Sequence, residues 1–192
     1  MAVVNDNRAA LLKCAVELFA ARGYDAVGVQ EIVEAAGVTK PTLYHYFGSK
    51  PGLLNALLEE HFKHLNQVVR TASAYQGDLT LSLQRVVQAY FGFARQHRNF
   101  YRMQLALWFA PRQSEAFHAI ASLNEQQHAL IEHLFALASY DHGNMRGRQR
   151  AYAASFIGMI HTYIGLWLNS YLELDDPLVY QVVHQFEHGI YS

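Results

Sequence analysis

The sequence predicts an all-α protein. Apolar residues recur at intervals of three and four positions along most of the chain, which is the spacing of one face of an α-helix. Glycine, proline and hydroxyl residues interrupt this spacing at points where they predict helix ends. No stretch alternates in the manner of a β-strand. Because 52% of the 192 residues are hydrophobic and only 16% are charged, the chain can build a packed core and is not typical of a disordered protein.

The N-terminal third divides into four predicted helices, at about residues 5–22, 29–36, 40–47 and 50–72. Gly23 stands where glycine commonly follows a helix C-terminus. Thr39 and Ser49 precede the third and fourth helices, and their hydroxyl groups can cap the first free backbone amides. Pro41 and Pro51 lie in the first turns of these helices, where a missing N–H costs little.

The remainder of the chain predicts five more helices, at about residues 79–97, 99–110, 114–140, 147–173 and 177–190. Residues 151–172 contain no Asp, Glu, Lys or Arg and are long enough to span a bilayer. Polar residues such as His161 and Asn169 interrupt this stretch, which favours a buried helix over a membrane span. The single cysteine, Cys14, and the lack of an export signal at the N-terminus indicate a cytoplasmic protein.

Residues 29–47 have the pattern of a helix-turn-helix, in which a tight turn that often contains glycine joins two short helices. Gly37 supplies the turn, and apolar residues hold the helices together, namely Ile32, Val33, Ala36, Val38, Leu43 and Phe47. The second helix presents hydrogen-bond donors, a cation and aromatic rings: Lys40, Thr42, Tyr44, His45 and Tyr46. Such side chains bind phosphates and base edges in DNA, so this helix is a candidate recognition helix.

The segment from residue 23 to residue 58 resembles the DNA-binding region of the TetR/AcrR family of transcriptional regulators. The most specific part is AAGVTKPTLYHYFGSK, from Ala35 to Lys50. The resemblance implies that residues 1–48 form a DNA-binding domain and residues 49–192 a ligand-binding and dimerisation domain, connected by the helix that begins near residue 50. Val27 and Gly28 stand where this family often has hydroxyl residues that begin the second helix, and Pro51 replaces the usual acidic residue after the lysine.

The same resemblance implies the roles of individual residues at the DNA. Five would face the major groove or its phosphate rim: Thr39, Lys40, Thr42, Tyr44 and His45. Tyr46 and Lys50 would hold backbone phosphates. Whether Thr42 and His45 contact bases or phosphates stays open, because base edges and phosphate oxygens both accept hydrogen bonds from such side chains.

The predicted helix at 147–173 has two opposite faces. One carries small residues, which let another helix approach closely and therefore predict a two-fold interface: Ala154, Gly158, Thr162, Gly165 and Asn169. Val182 and Phe186 of the last helix are predicted to join this interface, and the resemblance implies a four-helix interface made from the last two helices of each chain. The opposite face is aromatic. Together with residues of other helices it predicts a ligand cavity, although it could equally form ordinary core: Met103, Trp108, Phe109, Tyr152, Phe156, Tyr163 and Trp167, with Phe135 as a further candidate.

The sequence thus predicts a homodimeric transcriptional regulator, a repressor that binds a palindromic operator and is released by a small hydrophobic or aromatic effector. No cofactor, metal site, membrane attachment or enzymatic activity is expected, and no common catalytic motif is present. Two alternatives stay open. One is a metal- or pH-responsive regulator that uses some of the eleven histidines, such as the pairs His61/His64 and His184/His188. The other is a helical small-molecule-binding protein or enzyme without DNA binding.

Overall fold

The computed structural model describes residues 2–189, except for the side chains of residues 2–6 and 144. This part of the chain forms nine α-helices and a 3-10 turn at Gly143–Met145 without any strand, which confirms the all-α prediction. The helices are α1 (Ala2–Arg22), α2 (Val29–Ala35), α3 (Lys40–Phe47), α4 (Lys50–Ala72), α5 (Leu79–Gln96), α6 (Arg98–Trp108), α7 (Glu115–Ala138), α8 (Gln149–Leu168) and α9 (Asp176–His188).

The helix bounds agree with the sequence predictions to within a few residues, and those of α3 and α4 agree fully. The largest difference is at the end of α8, which was predicted to reach residue 173 and ends at Leu168. Ser170 adopts a left-handed conformation with φ of 63°, and the Tyr171 N–H donates to the carbonyl of Leu166 at 3.0 Å. This closing turn stops the helix although the apolar pattern continues. Residue 190 of the last predicted helix lies outside the described residues.

The chain forms two compact units. The first unit contains the chain up to Lys63 together with Arg98–Leu123, and the second contains His64–His97 and the chain from Asn124 onward. Both α4 and α7 therefore begin in the first unit and continue into the second. The sequence predicts a boundary after residue 48, between a DNA-binding domain and a ligand-binding domain. This boundary is based on the expected functions and not on compactness, so it stays a prediction.

The core of the first unit is made of apolar residues from α1 to α4 and from α6. α1 packs along α6 and also contacts α2 and α3. The buried side chains include Leu11, Phe19, Ile32, Leu43, Leu57, Phe62 and Phe100. Burying one such side chain stabilises the fold by about 1.5–3 kcal/mol relative to its exposed state. This core fixes the short helices α2 and α3, which are too short to be stable alone.

In the second unit α5 packs against α8 and α9, and α8 also packs against α9. α8 is long and apolar enough to cross a membrane by length and composition alone. However, its buried residues point into the core of this unit, as expected for a core helix: Ala153, Phe156, Ile157, Ile160, Ile164, Trp167 and Leu168. The core also contains polar contacts, because the hydroxyl of Tyr90 donates to Gln127 and the amide of Gln127 donates to Asn66.

Candidate nucleic-acid interface

The turn between α2 and α3 depends on a glycine. Gly37 has φ of 66°, a left-handed conformation that glycine adopts without steric cost. Its N–H donates to the carbonyl of Glu34 at 3.1 Å, and the next N–H, from Val38, donates to the carbonyl of Val33 at 2.9 Å. These bonds satisfy carbonyls at the end of α2 and redirect the chain into α3.

α3 has one buried side and one exposed side. Leu43 is fully buried, and Ile32 and Val33 of α2 are buried as well. Phe47, predicted to anchor the helix, is half-buried. The predicted major-groove residues lie on the other side and form the surface that we call the recognition face: Thr39, Lys40, Tyr44 and His45 are exposed, and Thr42 is half-buried. The fold therefore turns donors, a cation and aromatic rings toward solvent while apolar residues hold the helix in place.

The hydroxyl groups at the starts of α3 and α4 behave differently. The Oγ of Ser49 accepts from the N–H of Gly52 at 3.0 Å, so this predicted cap is confirmed. Thr39 makes no side-chain capping bond, and this prediction was wrong. Its Oγ1 lies 3.0 Å from the Oγ1 of Thr42, because both hydroxyls share the first turn of α3. The pair stays on the recognition face.

Tyr46 and Lys50, the predicted phosphate contacts, are both half-buried. The ring of Tyr46 lies 5.3 Å from that of His45 and 6.1 Å from that of Phe47. The Nζ of Lys50 lies 4.1 Å from the centre of the Tyr24 ring, a cation–π contact. Burial lowers the pKa of Lys50, and the carboxylates of Asp25, Glu115 and Glu31 partly oppose this shift.

Glu31 binds the backbone at the start of α2, where no side chain caps the first amides of the helix. The N–H of Gly28 donates to the Oε1 of Glu31 at 3.0 Å, and the guanidinium of Arg22 forms an ion pair with the same carboxylate. These contacts lower the pKa of Glu31, the bond from Gly28 having the largest effect. Glu31 therefore satisfies the N–H of Gly28, whereas the first amides of α2 that a hydroxyl would cap receive no such side-chain bond.

Gly52 is a site residue that local sequence patterns do not reveal. A Cβ at this position would lie 1.9 Å from the carbonyl oxygen of Phe47, well inside any permitted contact. The end of α3 and the first turn of α4 can approach this closely only because residue 52 is glycine. No residue pattern marks it, since the constraint comes from the close backbone turn between α3 and α4.

Comparison with known proteins identifies the family. The family model described as "Bacterial regulatory proteins, tetR family" matches residues 11–57. Over 185 residues the chain is 31% identical to the HTH-type transcriptional activator FasR of Mycolicibacterium smegmatis, covering 96% of this chain and 83% of FasR. The chain belongs to the TetR family. It is therefore a DNA-binding transcriptional regulator and not an enzyme.

Solved structures have the same fold as this TetR-family regulator. The fatty acid degradation regulator FadR from Bacillus halodurans matches with a TM-score of 0.79 and 21% identity, over 95% of this chain and 98% of that one. FadR from Bacillus subtilis, solved in complex with stearoyl-CoA, matches with a TM-score of 0.80 and 20% identity, over 95% and 99% of the two chains.

The second unit of the regulator contains a cavity of about 840 Å³, which is within the size range of small-molecule sites. Its apolar wall is formed by Leu83, Phe135, Met145, Tyr152, Met159 and Phe186. Its polar wall includes exposed side chains, namely Asp78, Thr80, Ser155, Gln185 and Glu187. Of the predicted ligand residues, Tyr152 and the further candidate Phe135 line this cavity. Phe186, predicted at the dimer interface, also lines this cavity. Its ring centroid lies 4.9 Å from that of Phe156 and 5.8 Å from that of Phe135.

The other predicted ligand residues lie elsewhere. Phe156 is fully buried behind the Phe186 ring, and the hydroxyl of Tyr163 donates to the cavity residue Gln185 at 2.8 Å. Trp167 is buried and does not line the cavity. Met103, Trp108 and Phe109 belong to the first unit, where Met103 is buried and Phe109 is 85% exposed. Trp167 and these three residues therefore do not line this cavity, and their part in ligand binding stays a prediction. Met103 and Trp108 lie elsewhere because α6 packs along α1 within the first unit.

The small residues of α8 lie on the solvent-exposed side of the helix. Ala154, Gly158, Thr162 and Asn169 are exposed, and Gly165 is half-buried. The hydroxyl of Thr162 donates to the carbonyl of Gly158 at 2.9 Å, and the amide of Asn169 donates to the carbonyl of Gly165 at 3.0 Å. These polar groups thus turn back onto their own helix.

Val182 of α9 is fully buried within the chain, so the structure corrects its predicted place on the interface. Its side chain fills the core between α9 and its neighbours.

Three large side chains are exposed on or beside α8 and α9: Leu166, Tyr171 and Tyr180 are 37%, 77% and 61% exposed.

Of the two histidine pairs that the sequence singles out, the pair on α9 has its rings in contact. His184 and His188 have ring centroids 4.6 Å apart, whereas His61 stacks on Phe100 at 4.2 Å. Within the described residues no group of three or more His, Cys, Asp or Glu side chains could hold a metal ion.

Proposed function

We propose that this TetR-family regulator binds a palindromic operator as a homodimer, with α3 of each protomer in the major groove. The observation that carries the proposal is the recognition face, which is exposed along α3 while Leu43 anchors the helix from behind. Thr42, Tyr44 and His45 are suited to base edges, whereas Lys40, Tyr46 and Lys50 are suited to phosphates. In such a dimer the two recognition helices lie about 34–36 Å apart, so that they enter successive major grooves.

The partner in the dimer is a second copy of this chain, docked on the exposed face of α8 and on α9. Small residues there allow close helix packing, and their polar side chains are satisfied within α8. The large exposed side chains Leu166 and Tyr180 would lose solvent-accessible apolar surface in such an interface. A two-fold dimer also matches the symmetry of a palindromic site.

The effector site of the regulator is the cavity of the second unit. An apolar wall and a polar wall favour an amphiphile with a hydrophobic or aromatic body. The complex of Bacillus subtilis FadR with stearoyl-CoA gives this ligand class a precedent within the same fold. Binding of the effector shifts α4, which begins beside the recognition helix and continues into the second unit.

Operator and effector bind with opposing preferences for two conformers, so each lowers the affinity of the other by the same factor. Release from DNA by about 100-fold requires a coupling free energy of only about 2.7 kcal/mol. The regulator acts in the cytoplasm as a repressor, so loss of operator binding raises transcription. FasR carries the name of an activator, and a promoter–reporter assay with and without the regulator distinguishes the two directions.

Salt-dependent DNA binding tests the proposed interface. Lys50→Ala and Tyr46→Phe weaken binding to all duplex sequences, because both residues hold phosphates rather than bases. Lys50→Ala also reduces the slope of log K against log salt by about one unit for each phosphate that the lysine no longer neutralises. Lys63→Ala is the matched control, since Lys63 is an exposed lysine near the middle of the same helix. An unchanged slope in Lys50→Ala, or an equal change in Lys63→Ala, overturns the phosphate contact.

Thermal unfolding with stearoyl-CoA as the probe tests the effector site. A ligand that binds only the folded protein raises Tm with concentration. We expect the shift to be smaller in Met159→Trp, whose larger side chain narrows the cavity from α8, and to persist in Met103→Leu, whose site lies in the first unit. Shifts of equal size in both variants place the probe outside the cavity.

A further inference from the structure

Three side chains from separate segments of the first unit meet at the start of α4. Tyr24 follows α1 and is 5% exposed, with its ring 5.2 Å from that of Phe19. Its hydroxyl donates to the Oε2 of Glu115, the first residue of α7, at 3.0 Å. On the face of the same ring lies the Nζ of Lys50, 4.1 Å from its centre. Tyr24 therefore connects the first residue of α7 with the first residue of α4.

The hydroxyl of Tyr24 adds a directional contact that a phenylalanine ring in the same position would lack. Burial and the hydrogen bond to Glu115 raise the pKa of Tyr24. The phenol therefore stays protonated and donates, while the carboxylate accepts. A hydrogen bond to a charged acceptor is stronger than one between neutral groups, so the carboxylate fixes the tilt of the ring.

Fixing the ring also fixes Lys50. A lysine side chain has four flexible carbons, and ordering it on DNA costs conformational entropy. When the ammonium already lies on the Tyr24 face, part of that entropy is lost before DNA arrives. The ammonium is half-buried at the first turn of α4, directly after the helix that carries the recognition face.

We propose that Glu115 is a positioning residue for the DNA contact of Lys50, acting through the ring of Tyr24. The inference rests on the proposed phosphate contact of Lys50. Under this proposal two helices act on the DNA contact: α4, which carries Lys50, and α7, which carries Glu115. Since α7 continues into the second unit, a change of conformation there can reach Lys50 through its first residue.

The test compares two variants that both lack the charge of Glu115. Glu115→Gln keeps an acceptor oxygen for the Tyr24 hydroxyl, whereas Glu115→Ala removes it. Both change the electrostatic attraction to DNA equally, so their ratio isolates the hydrogen bond. Affinity is measured on a 30-base-pair duplex of arbitrary sequence at about 50 mM salt, because a phosphate contact does not depend on sequence. We expect Glu115→Ala to bind roughly three- to tenfold more weakly than Glu115→Gln.

Two backgrounds show whether Glu115 acts through the proposed residues. The ratio between the two variants falls to one in Tyr24→Phe, which lacks the hydroxyl but keeps the ring, and also in Lys50→Ala. A ratio of one in the wild-type background, or a ratio that survives in Lys50→Ala, overturns the inference. If Lys50→Ala alone leaves affinity and salt slope unchanged, the phosphate contact itself is wrong. Thermal unfolding of each variant shows that the compared proteins are folded.

Discussion

Gly52 occupies a position where the backbones of two helices nearly touch. The Cβ of any other residue would lie 1.9 Å from the Phe47 carbonyl oxygen, which is backbone and cannot rotate away. At the scale of single residues, the sequence predicts roles where a local rule applies: Gly37 in the turn, Ser49 as a cap and Leu43 as an anchor. It does not predict Gly52, whose constraint comes from the backbone path between α3 and α4, or the pairing of Tyr24 with Glu115, which meet only in the folded chain.

Gly52→Ala is expected to destabilise the protein by about 1–3 kcal/mol, the range for a side chain forced into filled space. The matched control is Gly92→Ala in α5, where no atom lies within 4 Å of the new Cβ. There the helix propensity of alanine is expected to stabilise the fold by about 0.5–1 kcal/mol. Urea unfolding measures both. Destabilisation of similar size at the two positions contradicts the close approach at Gly52.

His161 gives stability a dependence on pH. Burial, followed by the nearby His128, lowers the pKa of His161 to about 3, and its ring lies 6.0 Å from that of Tyr90. An unfolded histidine has a pKa of about 6.5, so below that pH the unfolded chain takes up a proton that the folded chain does not. The free energy of unfolding is therefore expected to fall as pH decreases from about 6.5, by up to about 1.4 kcal/mol per pH unit.

The check is urea unfolding at pH 7 and at pH 5.5, at one protein concentration. His161→Gln should lose much of the decrease between the two pH values. The exposed residue His133 gives the control variant His133→Gln, which should keep it. If the free energy of unfolding decreases equally in wild type and His161→Gln, other groups cause the pH dependence.

At the scale of helices, α8 shows both what periodicity predicts and what it leaves out. Its small residues and its buried residues divide between two faces, as the sequence predicts. The cavity does not follow from the same periodicity, because its wall combines residues of α5, α7, α8 and α9 with the chain around Met145. Phe186 illustrates the limit: its spacing on α9 is compatible with an interface, but its ring faces Phe135 and Phe156.

Gly165→Leu on α8 is expected to convert the dimer to monomers, because a large side chain prevents close approach of the partner helix. Within the chain the first atom of the new side chain is tolerated, since a Cβ at Gly165 would meet nothing within 4 Å beyond its own helix backbone and chain neighbours. Sedimentation velocity measures the change. Gly92→Leu on α5 is the control with equally open space and should stay dimeric. A dimer that persists in Gly165→Leu would exclude this face.

At the scale of the whole molecule, the all-α class and the DNA-binding segment follow from the sequence, because helical spacing and the turn glycine are local features. The two compact units do not follow from it. Nothing in the sequence of α6 marks that it packs with α1 in the first unit, whereas the preceding α5 belongs to the second. The ligand residues predicted on α6 therefore do not line the cavity of the second unit, since Met103 fills the first unit's core, and their role in ligand binding stays a prediction.

In vitro selection with the purified protein on random duplex DNA, at about 0.15 M salt, tests the central claim most directly, since near-physiological salt suppresses non-specific phosphate binding. We expect enrichment of a palindrome whose half-site centres are about 34–36 Å apart along the duplex, one helical turn or a multiple of it. A Tyr44→Ala variant should lose the enriched sequence while keeping its fold. Failure of folded, dimeric protein to enrich any site would contradict the assignment of α3 as a recognition helix that reads a palindromic operator.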